Sequence, residues 1–513
     1  MPEINLSTLF HDIDPLSPLP DVHVSGIALD SRLVQPGDVF FAIQDKVDRY
    51  QYIDQVIARG AVAVIGEQSS ISQPIPHIQV ADCRLALAHA AASFYGYPAK
   101  KLILIGVTGT DGKTTTANLI YHILNAAGLN AGMISTVNAI IGDQVLDTGF
   151  HVTTPEAHDV QRYLAEMVTA GLTHVVLEAT SHGLAQRRVL GSQFDLAVVT
   201  NITHEHLDYH GSYEGYRDAK GLLFSGLNQV EPKEHAAKPA AILNRDDRSF
   251  EHLSAITQAR QISYGVHPSA QLRAANIQQS PDGLKFTAIG TGFQVPIECS
   301  LVGDYNVSNC LASLGAALAL DIDPAVAQAG IAAMPGVPGR MQRIDLGQDF
   351  TAIVDFAHTP NAMLRALQAG REISTGRVIA VFGSAGLRDR AKRRMMAETS
   401  AEHADLTILT AEDPRTESLD GILSEMAVGA ESKGAVEGQT FWRIPDRGQA
   451  IHFALSKTQP GDLLLVLGKG HEQSMCFGET EFPWDDRTAL KAALAAHLDV
   501  DGPDMPYLPT QDE

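Results

Sequence analysis

The chain has 513 residues, with 38 lysines and arginines against 60 aspartates and glutamates, a formal net charge of −22, and 45% of it is hydrophobic. At roughly 150 residues per domain this length implies about three domains with enough apolar material for packed cores. The acidic balance argues against a protein that coats nucleic acid or lies on an anionic membrane, but it allows a small anionic ligand in a locally basic pocket.

The four cysteines, Cys83, Cys299, Cys310 and Cys476, show no CxxC spacing and are expected as reduced, buried thiols. The stretch from Met1 to Pro20 carries no lysine or arginine, so it lacks the basic region of a signal peptide. No apolar run approaches the roughly 18 residues of a membrane span. The expectation is a cytoplasmic protein with no membrane insertion and no nucleic-acid partner.

In chain order, Val24 to Ile65 alternates short apolar runs with Gly and Pro turns and ends in a strand, Ala61 to Ile65. A helix around Arg84 to Tyr95 runs into Gly96-Tyr97-Pro98, where a first domain, residues 1–98, would end. Buried strands follow at Leu102 to Val107, Val175 to Glu178, Leu196 to Thr200 and Ala241 to Asn244. Their continuous apolar runs and helical spacings predict a mostly parallel sheet covered on both faces. Gln261 to Leu301 reads as an antiparallel excursion. After a helix from Ser308 to Leu320, the run Met334 to Gly339 marks a second boundary, giving domains at 99–336 and 337–513. Strands at Ala352 to Asp355, Val378 to Phe382, Leu406 to Leu409 and Leu463 to Leu467 predict a doubly wound third domain. The tail from Asp501, rich in proline and acids, is expected to be loose. The predicted class is α/β in three domains, the central one a parallel-sheet phosphate-loop domain and the last one Rossmann-like.

The strongest local signal is Gly106-Val107-Thr108-Gly109-Thr110-Asp111-Gly112-Lys113-Thr114-Thr115-Thr116, between a strand and a helical run from Ala117. Glycines let N–H groups turn to phosphate oxygens, a helix N-terminus adds its positive end, Lys113 neutralises charge, and a hydroxyl reaches Mg²⁺. The loop is a variant, because Val107 stands where the strict pattern has glycine. Glu178 to His182 and Thr200 to His210 follow the next two strands, at the edge where open α/β sheets place ligands. Glu178 and a neutral imidazole there suit an oxygen-loving divalent ion. In the third domain Arg388 lies in the turn Gly383 to Arg390, and five of the seven residues from Arg388 to Arg394 are basic. An anion pocket and a solvated helix face both fit Lys392 to Arg394. Glu412-Asp413-Pro414-Arg415 and Gly468-Lys469-Gly470-His471-Glu472 sit at two further strand ends. A guanidinium that grips a carboxylate beside acids that hold an ammonium is the chemistry of amino-acid binding.

Taken in order, these motifs resemble the Mur ligase family of ATP-dependent amide-forming enzymes of peptidoglycan precursor synthesis. The resemblance spans nearly the whole chain. It includes Asp30-Ser31-Arg32, Gly109 to Thr116, Thr153-Thr154-Pro155, Glu178 to His182, His206 to Gly211, Tyr305-Asn306, Gly339-Arg340-Met341 and Asp355 to Pro360, together with the Asp-Pro-Arg and Gly-Lys-Gly-His-Glu runs. It implies addition of a third amino acid to UDP-N-acetylmuramoyl-L-alanyl-D-glutamate by a cytoplasmic monomer using ATP and Mg²⁺, through an acyl phosphate. By the same resemblance Gly109, Thr110, Asp111, Gly112, Lys113, Thr114 and Thr115 would cradle ATP, with Asn306, Arg340 and Asp355 also on the nucleotide. Thr114, Glu178, His206 and a carbamylated Lys220 would serve the metal, and Lys113, Lys220, Glu178 and His206 the chemistry. Ser31, Thr153, Thr154, Thr180, Gln186 and Arg188 would bind the UDP substrate. Arg388, Glu412, Asp413, Pro414, Arg415, Gly468 and Glu472 would bind the amino acid.

Some positions depart from the family's usual text. Asp111 stands where asparagine is common, Ala385-Gly386-Leu387 replaces a Gly-Gly-Asp run, and Glu412-Asp413 replaces Asp-Asn. Arg415 favours an amino acid with a second carboxylate, meso-diaminopimelate, whereas the acid at Glu412 also suits lysine or ornithine. A folylpolyglutamate- or cyanophycin-type ligase shares the phosphate loop but not the first-domain text. A regulatory ATPase leaves the third-domain pocket unexplained, and a metallohydrolase built on His204 to His210 predicts turnover without ATP.

Overall fold

A computed structural model of the chain describes residues 3–44, 48–146, 153–203, 207–229, 233–235, 237–280 and 283–512. It separates into two compact units, Met1–Ala275 with Ala288–Val295 and Ser308–Ala333, and Asn276–Thr287 with Pro296–Val307 and Met334–Glu513.

The first unit begins with a parallel sheet of four short strands in sequence order, β1 (Gly26–Ala28), β2 (Asp38–Phe41), β3 (Ala63–Gly66) and β4 (His77–Gln79). Apolar residues on both faces of these strands are buried, in one cluster with helix α1 (Cys83–Phe94) and in another around Phe40, Tyr50 and Val64.

A larger sheet follows. Its strands are β5 (Ile103–Thr108), β6 (Ala131–Ile134), β7 (Ala139–Ile141), β8 (Gln144–Leu146), β9 (His174–Glu178), β10 (Leu196–Val199), β11 (Ala240–Asn244), β12 (Arg260–Gly265), β13 (Leu272–Ser280), β14 (Gly283–Gly290) and β15 (Phe293–Cys299). The spatial order is β8-β7-β6-β9-β5-β10-β11-β12-β13-β14-β15. From β6 to β13 neighbouring strands pair parallel, and the small β7–β8 excursion is antiparallel. β5 therefore lies between β9 and β10, with Glu178 opposite Val107 and Val199 opposite Thr108, so three strands stop in register. Helix α2 (Lys113–Ala126) leaves the end of β5, and α3 (Tyr213–Gly226) packs nearby.

Sequence reading misplaced some elements. Arg260–Gly265 continues the parallel sheet instead of opening an antiparallel excursion, because it pairs with β11 over its full apolar run. Helix α2 starts at Lys113, four residues before the predicted onset at Ala117. Gly112, at φ +81, caps it in a left-handed conformation that favours glycine.

In the second unit the strands β16 (Gln342–Arg343), β17 (Thr351–Asp355), β18 (Val378–Phe382), β19 (Leu406–Leu409), β20 (Phe441–Arg443) and β21 (Leu463–Leu467) form one sheet ordered β16-β17-β21-β18-β19-β20, parallel except for β16. Successive side chains go to opposite faces. Leu463, Leu465 and Leu467 enter one core with Val378, Ala380 and Phe382, while Leu464 and Val466 enter another with Ile379 and Val381. The covering helices include α4 (Ala391–His403), α5 (Leu419–Ser432), α6 (Arg447–Ser456) and α7 (Asp486–Leu498). The tail expected to be loose is docked: Leu508 is fully buried, and the Thr510 hydroxyl donates to Asp446, the N-cap of α6, at 2.8 Å. The four cysteines are buried thiols that form no disulfide among the described residues. Among the described residues no helix is long and apolar enough to cross a membrane.

One buried ion pair ties this sheet's loops together. Arg447 donates to both oxygens of Asp486 at 2.7 Å, and to the carbonyls of Ala411 (3.0 Å) and Leu467 (2.8 Å), where two strands end. Trp484 completes Asp486 with a 2.9 Å bond. Asp486→Ala strands a buried guanidinium and is expected to cost about 3–5 kcal/mol. Urea unfolding followed by near-UV circular dichroism checks this as a lowered midpoint that 0.5 M salt does not change.

Candidate active site

The turn from β5 into α2 is fixed from every side by hydrogen bonds to its backbone. Thr110 N–H donates to the Asn201 carbonyl (2.7 Å) and Asp111 N–H to the Asn201 side chain (3.1 Å), while the Asp111 carbonyl accepts from Thr200 (2.6 Å) and Asn201 (3.1 Å). Lys113 Nζ donates to the Thr110 carbonyl at 2.8 Å, so its ammonium folds over the turn. Lys220, buried on α3, donates to the Gly109 carbonyl at 2.6 Å and lies 4.6 Å from the ring centre of Tyr216. The Tyr216 hydroxyl in turn meets Thr110 Oγ1 at 3.1 Å. A side chain on Gly112 would run into Asn309 Oδ1, which also accepts from Thr116 at 3.3 Å.

Glu178 is fully buried at the end of β9. It accepts from Thr114 Oγ1 (3.1 Å), Thr136 Oγ1 (2.9 Å) and Thr136 N–H (3.1 Å). A carboxylate and two hydroxyls thus converge beside the turn, hard oxygen donors of the kind that Mg²⁺ takes together with phosphate oxygens and water. Among the described residues no three histidine, cysteine, aspartate or glutamate side chains cluster as a protein-only cage. Of the other predicted residues, Thr115 is partly buried on the first turn of α2. His206 lies outside the described residues, as do His204 and Glu205.

A second group stands next to Glu178. Thr154 Oγ1 donates to the Glu178 carbonyl and lies 3.0 Å from Thr180 Oγ1. Arg188 donates to the Thr154 carbonyl (2.9 Å) and to Gln186 (2.7 Å), and pairs with Glu156 at 3.0 Å. The structure therefore brings Thr154, Thr180, Gln186 and Arg188 together, with Thr153 adjacent in the chain. Ser31 lies in the turn after β1, where its hydroxyl donates to Gln55 at 3.0 Å.

In the second unit the loops after β18, β19 and β21 lie side by side. The Gly386 N–H donates to the Asp413 carbonyl (2.9 Å), and Arg415 Nη1 donates to the Gly386 carbonyl (3.3 Å). Lys469, fully buried, bridges Asp413 Oδ1 (3.0 Å) and Glu472 Oε2 (2.6 Å). Pro414 abuts Gly386, and Gly468 faces Glu412 so closely that a Cβ on the glycine would overlap Oε2. That Oε2 is buried and accepts no hydrogen bond, and burial pushes the Glu412 carboxyl up to about 6 against the opposing pull of Lys392, Arg447 and Lys469. Arg388 is exposed, and neither its guanidinium nor that of Arg415 meets a carboxylate among the described residues. Elsewhere in this unit Arg340 lies 4.4 Å from the ring centre of Phe356, Asp355 accepts from the Met341 and Ala357 N–H groups, and Asn306 donates to the Val302 carbonyl.

Comparison with known proteins places these sites in a family. Residues 107–317 match the Mur ligase middle domain, and residues 339–470 match the Mur ligase glutamate ligase domain. UDP-N-acetylmuramyl-tripeptide synthetase of Roseiflexus sp. (strain RS-1) is 42% identical over 92% of this chain and 94% of its own length. The chain belongs to the Mur ligase family. A UDP-N-acetylmuramoyl-L-alanyl-D-glutamate--2,6-diaminopimelate ligase of Geobacillus thermodenitrificans (strain NG80-2) is 40% identical over 92% of this chain and 95% of its own. A solved structure of a ligase of the same name superposes with TM-score 0.67 at 28% identity, covering 97% of this chain and all of that one. A folylpolyglutamate synthase of Mycobacterium tuberculosis shares the fold at 16% identity and TM-score 0.61.

As a Mur ligase the protein is an ATP-dependent, ADP-forming enzyme. Sequence reading did not single out Thr136, Tyr216, Asn309, Glu156 or Lys469 as site residues. Thr136 follows the end of β6, so the strand-end rule that found Glu178 would have found it too. Asn309 lies three residues beyond Asn306, on the same helix.

The raised carboxyl of Glu412 sets a pH dependence. Its folded value, about 6, exceeds the ordinary 4.5, so its contribution to stability is complete below about pH 4.5 and lost as pH rises through 6. At pH 8 the ionised group costs on the order of 2 kcal/mol. Glu412→Gln is expected to raise the urea midpoint at pH 8 by a comparable amount and to leave it unchanged at pH 4.5, which equilibrium unfolding at the two pH values checks.

Proposed function

We propose that this Mur ligase joins meso-diaminopimelate to UDP-N-acetylmuramoyl-L-alanyl-D-glutamate, and that its three larger sheets belong to three domains, 1–98 for the uridine diphosphate, 99–336 for ATP and 337–513 for the amino acid. The observation that carries the substrate assignment is the pair of guanidiniums, Arg388 and Arg415, left without carboxylate partners beside loops that bear Glu412, Asp413 and Glu472. Two guanidiniums without a carboxylate partner among the described residues match an amino acid with two carboxylates, and the acids match its ammonium groups. Lysine and ornithine would leave one guanidinium unused. The name of the relative from Geobacillus supports the same reading, and that of the relative from Roseiflexus supports tripeptide synthesis.

The chemistry follows from the poor electrophilicity of a carboxylate. Transfer of the γ-phosphoryl group to the D-glutamyl side-chain carboxylate forms an O–P bond and releases ADP. The amine nitrogen then attacks the acyl carbon, the C–O bond to phosphate breaks, and the amine loses a proton. Lys113 neutralises charge on the transferring phosphoryl group while the N–H groups of the turn fix its oxygens. Thr114 and Glu178, with Thr136, would hold Mg²⁺, which when bound shields the phosphate charge. Thr154, Thr180, Gln186 and Arg188 orient the muramoyl dipeptide, and Ser31 binds the uridine diphosphate end. Lys220, at the Gly109 carbonyl, would act beside the phosphates after its ammonium loses one proton and the resulting amine adds CO₂ and loses a second, becoming a carbamate.

Purified enzyme is expected to release phosphate only when ATP, the UDP-muramoyl dipeptide and the correct amino acid are all present, with turnover highest for meso-diaminopimelate in a comparison with L-lysine and L-ornithine. Phosphate release indifferent to the amino acid, or faster with lysine, defeats the assignment. Lys113→Ala is expected to lower kcat by about 10²–10³-fold in the same coupled assay.

A further inference from the structure

The turn that carries Arg388 is shaped by two residues to which the ligation chemistry assigns no role. Arg393, on the first turn of α4, was equally readable in sequence as part of a solvated basic face. In the fold its side chain is 1% exposed. It donates through Nη2 to Glu417 Oε1 at 3.0 Å and to the Ala385 carbonyl at 3.4 Å, and through Nη1 to Glu425 Oε2 at 3.0 Å. Glu417 Oε1 also accepts the Leu387 N–H. The Arg393 guanidinium and this N–H together hold the Glu417 carboxyl well below the usual carboxylate range, so that carboxylate stays ionised throughout the pH range of an enzyme assay.

The turn is therefore gripped on both sides. Arg393 and Glu417 hold Ala385 and Leu387 from one side, and Asp413 and Arg415 hold Gly386 from the other. Between the two grips Leu387 adopts φ +56, a conformation that a leucine enters only when its surroundings impose it. Arg388 is the next residue, exposed and without a hydrogen bond or ion pair among the described residues, so only the backbone of the turn sets where its guanidinium starts.

We propose that Arg393 and Glu417 are positioning residues, whose buried ion pair locks the turn at residues 385–388 so that Arg388 meets a carboxylate of the incoming amino acid. The proposal rests on the reading of Arg388 given above, and it adds two determinants of amino-acid affinity that touch no substrate. A clamp of this kind acts on one substrate alone. Helix-to-helix adhesion through Glu425, the other face of Arg393, would act on stability and on no single Michaelis constant.

The test is steady-state kinetics of the full-length enzyme with meso-diaminopimelate, ATP and the UDP-muramoyl dipeptide varied in turn. It covers Glu417→Ala, Arg393→Met, Arg393→Lys and Arg388→Ala, alone and with each of the first two combined with Arg388→Ala. Glu417 is part-exposed, so Glu417→Ala reports even if Arg393→Met folds poorly. Expected are a tenfold or greater rise in KM for diaminopimelate in Glu417→Ala and Arg393→Met, less than twofold change in KM for ATP, partial recovery in Arg393→Lys, and less than twofold further effect in the Arg388→Ala background. Unchanged KM for diaminopimelate in Glu417→Ala, loss of all three substrates' affinities together with a lowered urea midpoint, or effects that multiply with Arg388→Ala would overturn the clamp while leaving the reading of Arg388 standing. Unchanged KM in Arg388→Ala itself would overturn that reading, and the clamp with it.

Discussion

Parallel strands that stop in register leave a row of carbonyls, N–H groups and short polar loops along one edge, and most of this protein's chemistry depends on how that edge is held. In the second unit, and around the phosphate turn of the first, buried side chains do this instead of further secondary structure. Lys220 takes the Gly109 carbonyl, Arg447 takes those of Ala411 and Leu467, Lys469 bridges Asp413 and Glu472, and Arg393 takes Ala385. Each of these cations is 1% exposed or less, and each donates to carbonyls, carboxylates or both. A buried cation is costly to strand without such acceptors, so the loops it ties cannot drift independently.

The strands were legible in the sequence because both faces of each are buried, which writes them as continuous apolar runs such as Leu463 to Leu467 and Val378 to Phe382. The polar groups directly after those runs were legible for the same reason, since the edge rule places ligands there. What escaped was information without a local pattern. Tyr216 reaches Thr110 across 106 positions, and Asn309 reaches Thr116 across 193. The start of α2 was placed late because Thr114-Thr115-Thr116 is β-branched and weakly helical by propensity, whereas the left-handed Gly112 and the fixed turn before it impose the onset. The buried state of Arg393 could not be read from a run of basic residues, because charge in a sequence does not say which side of a helix meets solvent. The docked tail was missed because composition reports the solubility of a segment and not the presence of a slot for Leu508.

The overall charge of −22 gives these local arrangements more weight. ATP and a sugar nucleotide are anions approaching an acidic surface, so long-range electrostatics oppose their arrival and short-range groups must reverse the sign. In the proposed reading Lys113 and the N–H groups of its turn would do so for ATP, and Arg388 and Arg415 would do the same for the carboxylates of the amino acid. Moderate salt screens the repulsion over distances beyond about 10 Å, while leaving the contacts inside the pockets largely intact.

Three left-handed residues in the loops after β18 and β19, Leu387 (φ +56), Asp413 (φ +41) and Arg415 (φ +53), have an engineering consequence. Such positions are where a consensus-minded designer would install glycine to relieve backbone strain. Here two of the three carry side chains on which amino-acid choice is proposed to depend, and the third sets the direction of another. Relaxing them would trade selectivity for robustness. Because crowded glycines and the buried Arg393–Glu417 pair dictate the path of the turn before the exposed Arg388, the guanidinium tip at residue 388 can be exchanged with the backbone path preserved. That leaves substrate preference as a trait adjustable one residue at a time.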